Sequence, residues 1–152
     1  MRRGDRVAYL GLNSNVCFES YFTPALIGAV LVPVNYRLSI REMIECVEDC
    51  QPSVLIVDEN FIEQADQLKD ACRSLQTIIS FGDPSCPEGM VSYEDGLYEV
   101  MSTEKYCELN PSKNDESVVI FYTGGTTGRS KGVVLSNINC CLLYTSPSPR
   151  DP

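Results

Sequence analysis

Apolar residues in the first half of the chain fall into two recurring kinds of segment: short continuous runs, and stretches stepped by three and four. Residues 7–12 form a compact apolar run behind the polar Gly4-Asp5-Arg6 and predict a buried strand. Asn13-Ser14-Asn15 is a helix-start cluster, and Val16, Phe18, Tyr21, Phe22, Ala25, Leu26 and Ala29 follow at helical spacing. Pro24 sits inside that stretch, where proline can kink a helix. Residues 31–34 read as a second strand. Ser39-Ile40-Arg41-Glu42 fits a capping box, in which Ser39 accepts from the amide three residues on and Glu42 reaches back. Met43, Ile44 and Val47 give that helix its apolar face, and the region of Asp49 and Gln51-Pro52 closes it. Residues 54–57 are a strong short strand. Phe61, Ile62, Ala65, Leu68, Cys72 and Leu75 mark a further helix, and residues 78–81 a fourth strand.

Four strand–helix alternations predict an α/β domain built on a parallel sheet. Residues 82–89 are turn-rich, 93–101 fit a short helix, and 107–116 form a polar connection; no internal repeat is visible. Residues 117–122 are a β-rich apolar run that leads directly into Thr123-Gly124-Gly125-Thr126-Thr127-Gly128-Arg129-Ser130-Lys131-Gly132, and residues 133–135 are apolar again. The loop therefore lies between two strands.

At 152 residues the chain has room for one modest domain or for part of a larger one. Twelve basic residues against 21 acidic ones give a net charge of −9, which argues against a general nucleic-acid partner. The absence of histidine excludes a His–metal site and a Ser-His-Asp triad within the chain. The longest apolar run, residues 25–34, is ten residues long and contains Pro33; a membrane-spanning helix needs about 20. No export signal follows Arg2 and Arg3, so the expected location is cytoplasmic. Eight cysteines form no CxxC pair, and Cys46 and Cys50 share a face of the second helix. The hydrophobic content needs no covalent staples, which favours free thiols over a disulfide scaffold.

Charge is distributed unevenly. Twenty of the 21 acids lie at or before Glu116, and residues 117–150 contain none, while Arg129, Lys131 and Arg150 fall there. A local positive region on an acidic chain suits an anionic small ligand. Three glycines and three threonines in residues 123–128, followed by Lys131, suit phosphate oxygens in particular. Glycine lets backbone N–H groups approach an anion, threonine hydroxyls add donors, and lysine adds a mobile charge. An ordinary turn-rich hairpin loop has the same composition. The loop is neither a Walker A motif nor a GxGxxG fingerprint: Lys131 is followed by Gly132, and the glycines at 124, 125 and 128 are wrongly spaced.

The run YTGGTTGRSKGV, residues 122–133, resembles the signature loop of the AMP-forming adenylating enzymes, which include acyl-CoA synthetases, luciferases and peptide-synthetase adenylation domains. Gly4-Asp5-Arg6-Val7-Ala8, the segment from Leu31-Val32-Pro33-Val34-Asn35 to Ser39, and Val54-Leu55-Ile56-Val57-Asp58 occur in the order that family shows. The last two are more similar to the acyl-CoA synthetase branch. Two residues depart from the pattern: Ser130 stands where the family usually has proline, and Asn137 where it often has histidine.

The resemblance covers residues from about 4 to 139 and implies the early part of a large N-terminal adenylate-forming domain. It further implies attack of a carboxylate, fatty acids included, on the α-phosphorus of ATP, release of pyrophosphate, and transfer of the acyl group to coenzyme A. By the same resemblance Thr123, Gly124, Gly125, Thr126, Thr127, Gly128 and Lys131 hold the β- and γ-phosphates, with Thr123 a contact for Mg2+; Arg129 falls at a variable position and reads as solvated. Later motifs of the family have no counterpart here, so catalytic residues stay unassigned and the segment alone is expected to be inactive. A peptide-synthetase-type adenylation domain and a non-catalytic nucleotide-binding module are the alternatives; oligomeric state stays open. Domain organisation is expected as 1–140, a partial AMP-binding domain, and 141–152, a Pro-rich tail that resembles non-native read-through. Pro147, Pro149 and Pro152 predict that no helix continues past about Tyr144.

Overall fold

The computed structural model describes residues 1–82, 85–103, 108–124 and 130–145, residues 143–145 by backbone alone. Its centre is a sheet ordered β5-β4-β3-β1-β2-β6-β7. The strands are β1 (Arg6–Leu10), β2 (Val30–Pro33), β3 (Val54–Asp58), β4 (Thr77–Phe81), β5 (Val91–Ser92), β6 (Ser117–Thr123) and β7 (Lys131–Ser136). All neighbours are parallel except β6 and β7, which form an antiparallel hairpin at the edge.

Connection handedness explains the layers. A parallel crossover is right-handed, so reversing the direction of travel across the sheet moves the helix to the other face. The chain goes from β1 to β2 through α1 (Asn15–Leu26), then back past β1 to β3 through α2 (Ile40–Cys50), and on to β4 through α3 (Ile62–Ala71). Accordingly α2 and α3 share one face, where Met43, Val47, Ala65 and Leu68 pack on Ala8, Leu10, Leu55, Val57 and Ile78. Val16 of α1 lies on the other face with Tyr9, Leu31, Phe81 and Val119. Tyr93 of α4 (Tyr93–Thr103) and Cys140 of α5 (Asn137–Thr145) join that second cluster. β1 to β4 are covered on both faces, which is why they read as continuous apolar runs.

Local signals set most boundaries. The capping box forms as expected: Ser39 Oγ accepts from the Glu42 amide, and the Ser39 amide donates to Glu42 Oε2 at 2.8 Å. The Ser39 hydroxyl, which donates to Glu42 Oε2 at 2.6 Å, and after it the Ser39 amide hold the Glu42 carboxyl below its ordinary range. At its far end α2 stops at Gln51, in the left-handed region with φ 48°. There Arg6 caps it, donating from Nε to the Cys50 carbonyl at 2.7 Å and from Nη2 to the Gln51 carbonyl at 2.9 Å.

Several boundaries differ from the sequence pattern. β1 ends at Leu10 rather than 12 because Gly11 passes against Asp58, where a Cβ would lie 2.8 Å from the Asp58 Cβ. α1 ends at Leu26, and Ala29 lies outside it. Gly28, at φ +73°, closes a Schellman turn in which Ala29 N–H reaches the Pro24 carbonyl at 2.8 Å. Pro24 is buried in the last turn of α1. A 3₁₀ turn (Glu59–Phe61) precedes α3, while Cys72 and Leu75 lie beyond the helix yet remain buried. β5, only two residues long, carries no pattern of its own. α5 runs across the 140/141 boundary to Thr145; residues 146–152 lie outside the described residues.

Candidate functional site

β6 combines β-branched and aromatic residues, SVVIFYT, and suits a strand by propensity. It meets the parallel sheet at Leu31↔Val119; from Ile120 onward its registered partner is β7. The hairpin register is Ile120↔Val134, Phe121↔Val133, Tyr122↔Gly132 and Thr123↔Lys131. Residues opposite each other in an antiparallel pair point to the same face, and successive pairs alternate. Thr123 and Lys131 therefore face the same way at the mouth of the loop, and both are exposed. Tyr122 and Gly132 face the opposite way, toward α2.

The Thr123 hydroxyl and the Lys131 ammonium make a cross-strand pair of donors, the donor set that phosphate oxygens accept from. Gly124 follows directly. It has no positive φ, and a Cβ built there would meet nothing within 4 Å, so internal packing does not account for the missing side chain. Close approach of a ligand to its backbone would. Gly125, Thr126, Thr127 and Gly128 lie outside the described residues, as does Arg129. Among the described residues no group of three metal-ligating side chains exists. A lone Thr123 hydroxyl suits a cation that arrives with phosphates attached, as Mg2+ does on ATP.

Contacts on the α2 side were not legible in the sequence. Tyr122 Oη donates to Asp49 Oδ2 at 2.5 Å. Burial, reinforced by the Asp49 carboxylate that accepts this bond, pushes the phenol upward from its ordinary range. The Tyr122 ring lies over Gly132, where a Cβ would fall 3.3 Å from Cζ and 3.0 Å from Ile120 Cγ2. The Cys50 thiol meets the Tyr122 hydroxyl, and burial pushes it up to about 12. Burial also raises the Cys46 thiol. Burial of this kind disfavours the thiolate at both positions. Ser130, one departure from the family pattern, lies close to Cys46 of α2. Asn137, the other departure, donates from Nδ2 to the Ser112 carbonyl at 3.4 Å.

Space revises the charge reading. Residues 117–150 contain no acid, yet the fold lays the base of the loop beside α2, whose Glu42, Glu45 and Asp49 bear on Cys46. Among the described residues, the cationic side of the hairpin is the Thr123–Lys131 face. A cavity of about 540 Å3 opens elsewhere, among Arg3, Val30, Glu116, Ile120 and Val134; Thr123, Gly124 and Lys131 do not line it.

A parallel α/β sheet with a glycine- and threonine-rich hairpin at its edge defines an adenylate-forming N-terminal domain, and known proteins bear this out. Residues 1–148 match the family model described as AMP-binding enzyme, and the chain belongs to that family. It is 37% identical over 131 residues to the indoleacetate–CoA ligase of Aromatoleum aromaticum, covering 86% of this chain and 24% of that one. To the long-chain-fatty-acid–CoA ligase of Thermus thermophilus it is 35% identical over 136 residues, covering 88% and 24%. Among solved structures, the anthranilate CoA ligase AuaEII in complex with anthranoyl-AMP superposes with a TM-score of 0.79 at 27% identity, covering 90% of this chain and 26% of that one. The chain spans about a quarter of the length of the curated relatives it matches. None of the described helices is long and apolar enough to cross a membrane.

Proposed function

We propose that the chain is the phosphate-binding portion of an ATP-dependent acid–thiol ligase that makes an acyl-CoA. The observation that carries this is the register of the hairpin, which sets Thr123 opposite Lys131 across a glycine-rich loop in a member of the AMP-binding family. In this reading the loop residues Thr123, Gly124, Gly125, Thr126, Thr127, Gly128 and Lys131 receive the β- and γ-phosphates of MgATP, with Thr123 touching the metal. A carboxylate oxygen of the acid attacks the α-phosphorus, the bond from that phosphorus to the bridging oxygen breaks, and pyrophosphate leaves. Hydroxyls, amides and the Lys131 ammonium take up the charge that develops on the leaving phosphate. Coenzyme A thiolate then attacks the acyl carbon and AMP departs.

The similarity to aryl- and fatty-acid–CoA ligases supports a hydrophobic carboxylic acid as substrate. A cytoplasmic location and the lack of a nucleic-acid partner belong to the same reading, as does the inactivity of the 152-residue segment by itself. The test is carboxylate-dependent exchange of labelled pyrophosphate into ATP by the natural full-length polypeptide, with a panel of aryl and fatty acids. Lys131→Ala should lower kcat/KM for MgATP about a hundredfold, roughly 2.7 kcal/mol of transition-state stabilisation. Its urea midpoint should stay unchanged because Lys131 is exposed. No exchange with any acid, or full exchange by the Lys131→Ala variant, would refute the assignment.

A further inference from the structure

The face of α2 that turns toward the hairpin carries Cys46, Asp49 and Cys50, spaced three and four apart and so aligned on one side of the helix. Asp49 holds a residue that flanks the loop: Tyr122, the last residue but one before it, donates to Asp49 Oδ2 at 2.5 Å. Gly132 leaves room for the Tyr122 ring to lie across the strand pair and reach the helix. Arg6 in turn fixes the helix end by holding the Cys50 and Gln51 carbonyls.

We propose that this face of α2 is a seat for the strand that leads into the loop, and that Asp49 and Tyr122 are positioning residues for nucleotide phosphate. The proposal rests on the function given above. Neither residue touches phosphate in this arrangement, because Tyr122 points away from the Thr123–Lys131 face. They act by fixing the strand pair on which Thr123 and Lys131 stand. The Asp49 carboxylate, on the far side of the hairpin, also disfavours an anion there and leaves the Thr123–Lys131 face as the place for it.

The experiment uses the natural full-length polypeptide and four variants: Tyr122→Phe, Asp49→Ala, the double variant, and Asp49→Asn, whose amide oxygen still accepts a hydrogen bond. Two readouts are taken: the rate of tryptic cleavage after Arg129 and Lys131 without nucleotide, and KM and kcat in pyrophosphate exchange. Tyr122→Phe and Asp49→Ala should each speed cleavage, and raise KM for MgATP, by about three- to tenfold, the range for losing one hydrogen bond to a charged partner at a half-exposed site. Neither kcat nor KM for the acid should change by more than about twofold. The double variant should match the singles, because both remove one interaction, and Asp49→Asn should stay near wild type. Wild-type cleavage in both single variants, or effects that simply multiply in the double variant, would overturn the seat. Absence of exchange by the wild-type polypeptide would instead refute the ligase reading, and the cleavage series would still decide the seat.

Discussion

β1 lies between two parallel neighbours, in register with β2 over four residues and with β3 over four, whereas β6 has one parallel neighbour, β2, which it meets in register at Leu31↔Val119, and turns its other side to the edge strand β7. β1 is buried from Val7 to Leu10, while Val133 and Val134 of β7 stand exposed on the outer edge of the hairpin. One region is fixed by its own strand pairing and burial. The other, which carries the candidate chemistry, is the edge of the sheet: Val118, Val119, Phe121 and Leu135 pack in the second cluster, and Tyr122 adds a bond to Asp49 of α2. A loop on an edge hairpin can be adjusted without disturbing the core that holds it, the usual arrangement for a binding loop on a rigid scaffold.

The contrast can be broken at three places. Leu10→Ala, at a fully buried position between β1 and its covering helices, should destabilise the natural polypeptide by about 2–5 kcal/mol, read from the urea midpoint. Its KM for MgATP, measured where the protein is still folded, should be unchanged. Gly132→Ala should cost less, about 1 kcal/mol, since the added methyl crowds a ring and a methyl group that can give way at a half-buried surface. That substitution should raise KM for MgATP, the reverse of the pattern at Leu10. If Gly132→Ala left nucleotide binding untouched, the hairpin would not depend on how Tyr122 is seated.

The smallest effect concerns the tie between the two regions. Arg3 forks onto Glu116, just before β6, donating from Nε to Oε1 at 2.8 Å and from Nη2 to Oε2. The guanidinium is the main reason the Glu116 carboxyl is held at about 2. A carboxyl lowered on folding contributes stability that is complete above its ordinary value near 4.5 and is lost as the pH falls toward 2. Arg3→Ala should therefore flatten the acid limb of stability between those values and change little at pH 7. The pair is solvent-exposed, so added salt should weaken even that difference. Urea midpoints across pH 2–6 check it.

What could be read from the sequence follows from how local each cause is. The box at Ser39 and Glu42 spans four residues, so its signal is complete in the sequence and it forms as read. The apolar runs of β1 to β4 are legible for the same reason, and the alternation with helices supplied the α/β class. Apolar spacing continues past Leu26 and extends the first helix to Ala29 on pattern; the positive φ at Gly28 is what ends the turn. β5 could not be read, since two residues carry no period. Strand order and the Tyr122–Asp49 bond join positions far apart in the chain, 73 residues in the latter case, and no local pattern encodes them. In the candidate site, the phosphate-suited chemistry of residues 123–131 was visible as composition. The acidic helix beside it was not, and it turned a charge argument about a stretch of sequence into one about a single face.

Arg6 opens β1 and at the same time closes α2 through the Cys50 and Gln51 carbonyls. The first strand and the platform beneath the hairpin thus share one guanidinium. A shortened version of the polypeptide that begins after residue 6 would release the last turn of α2. Weakened nucleotide affinity would follow at a distance, and a truncation made for convenience would mimic damage to the loop itself.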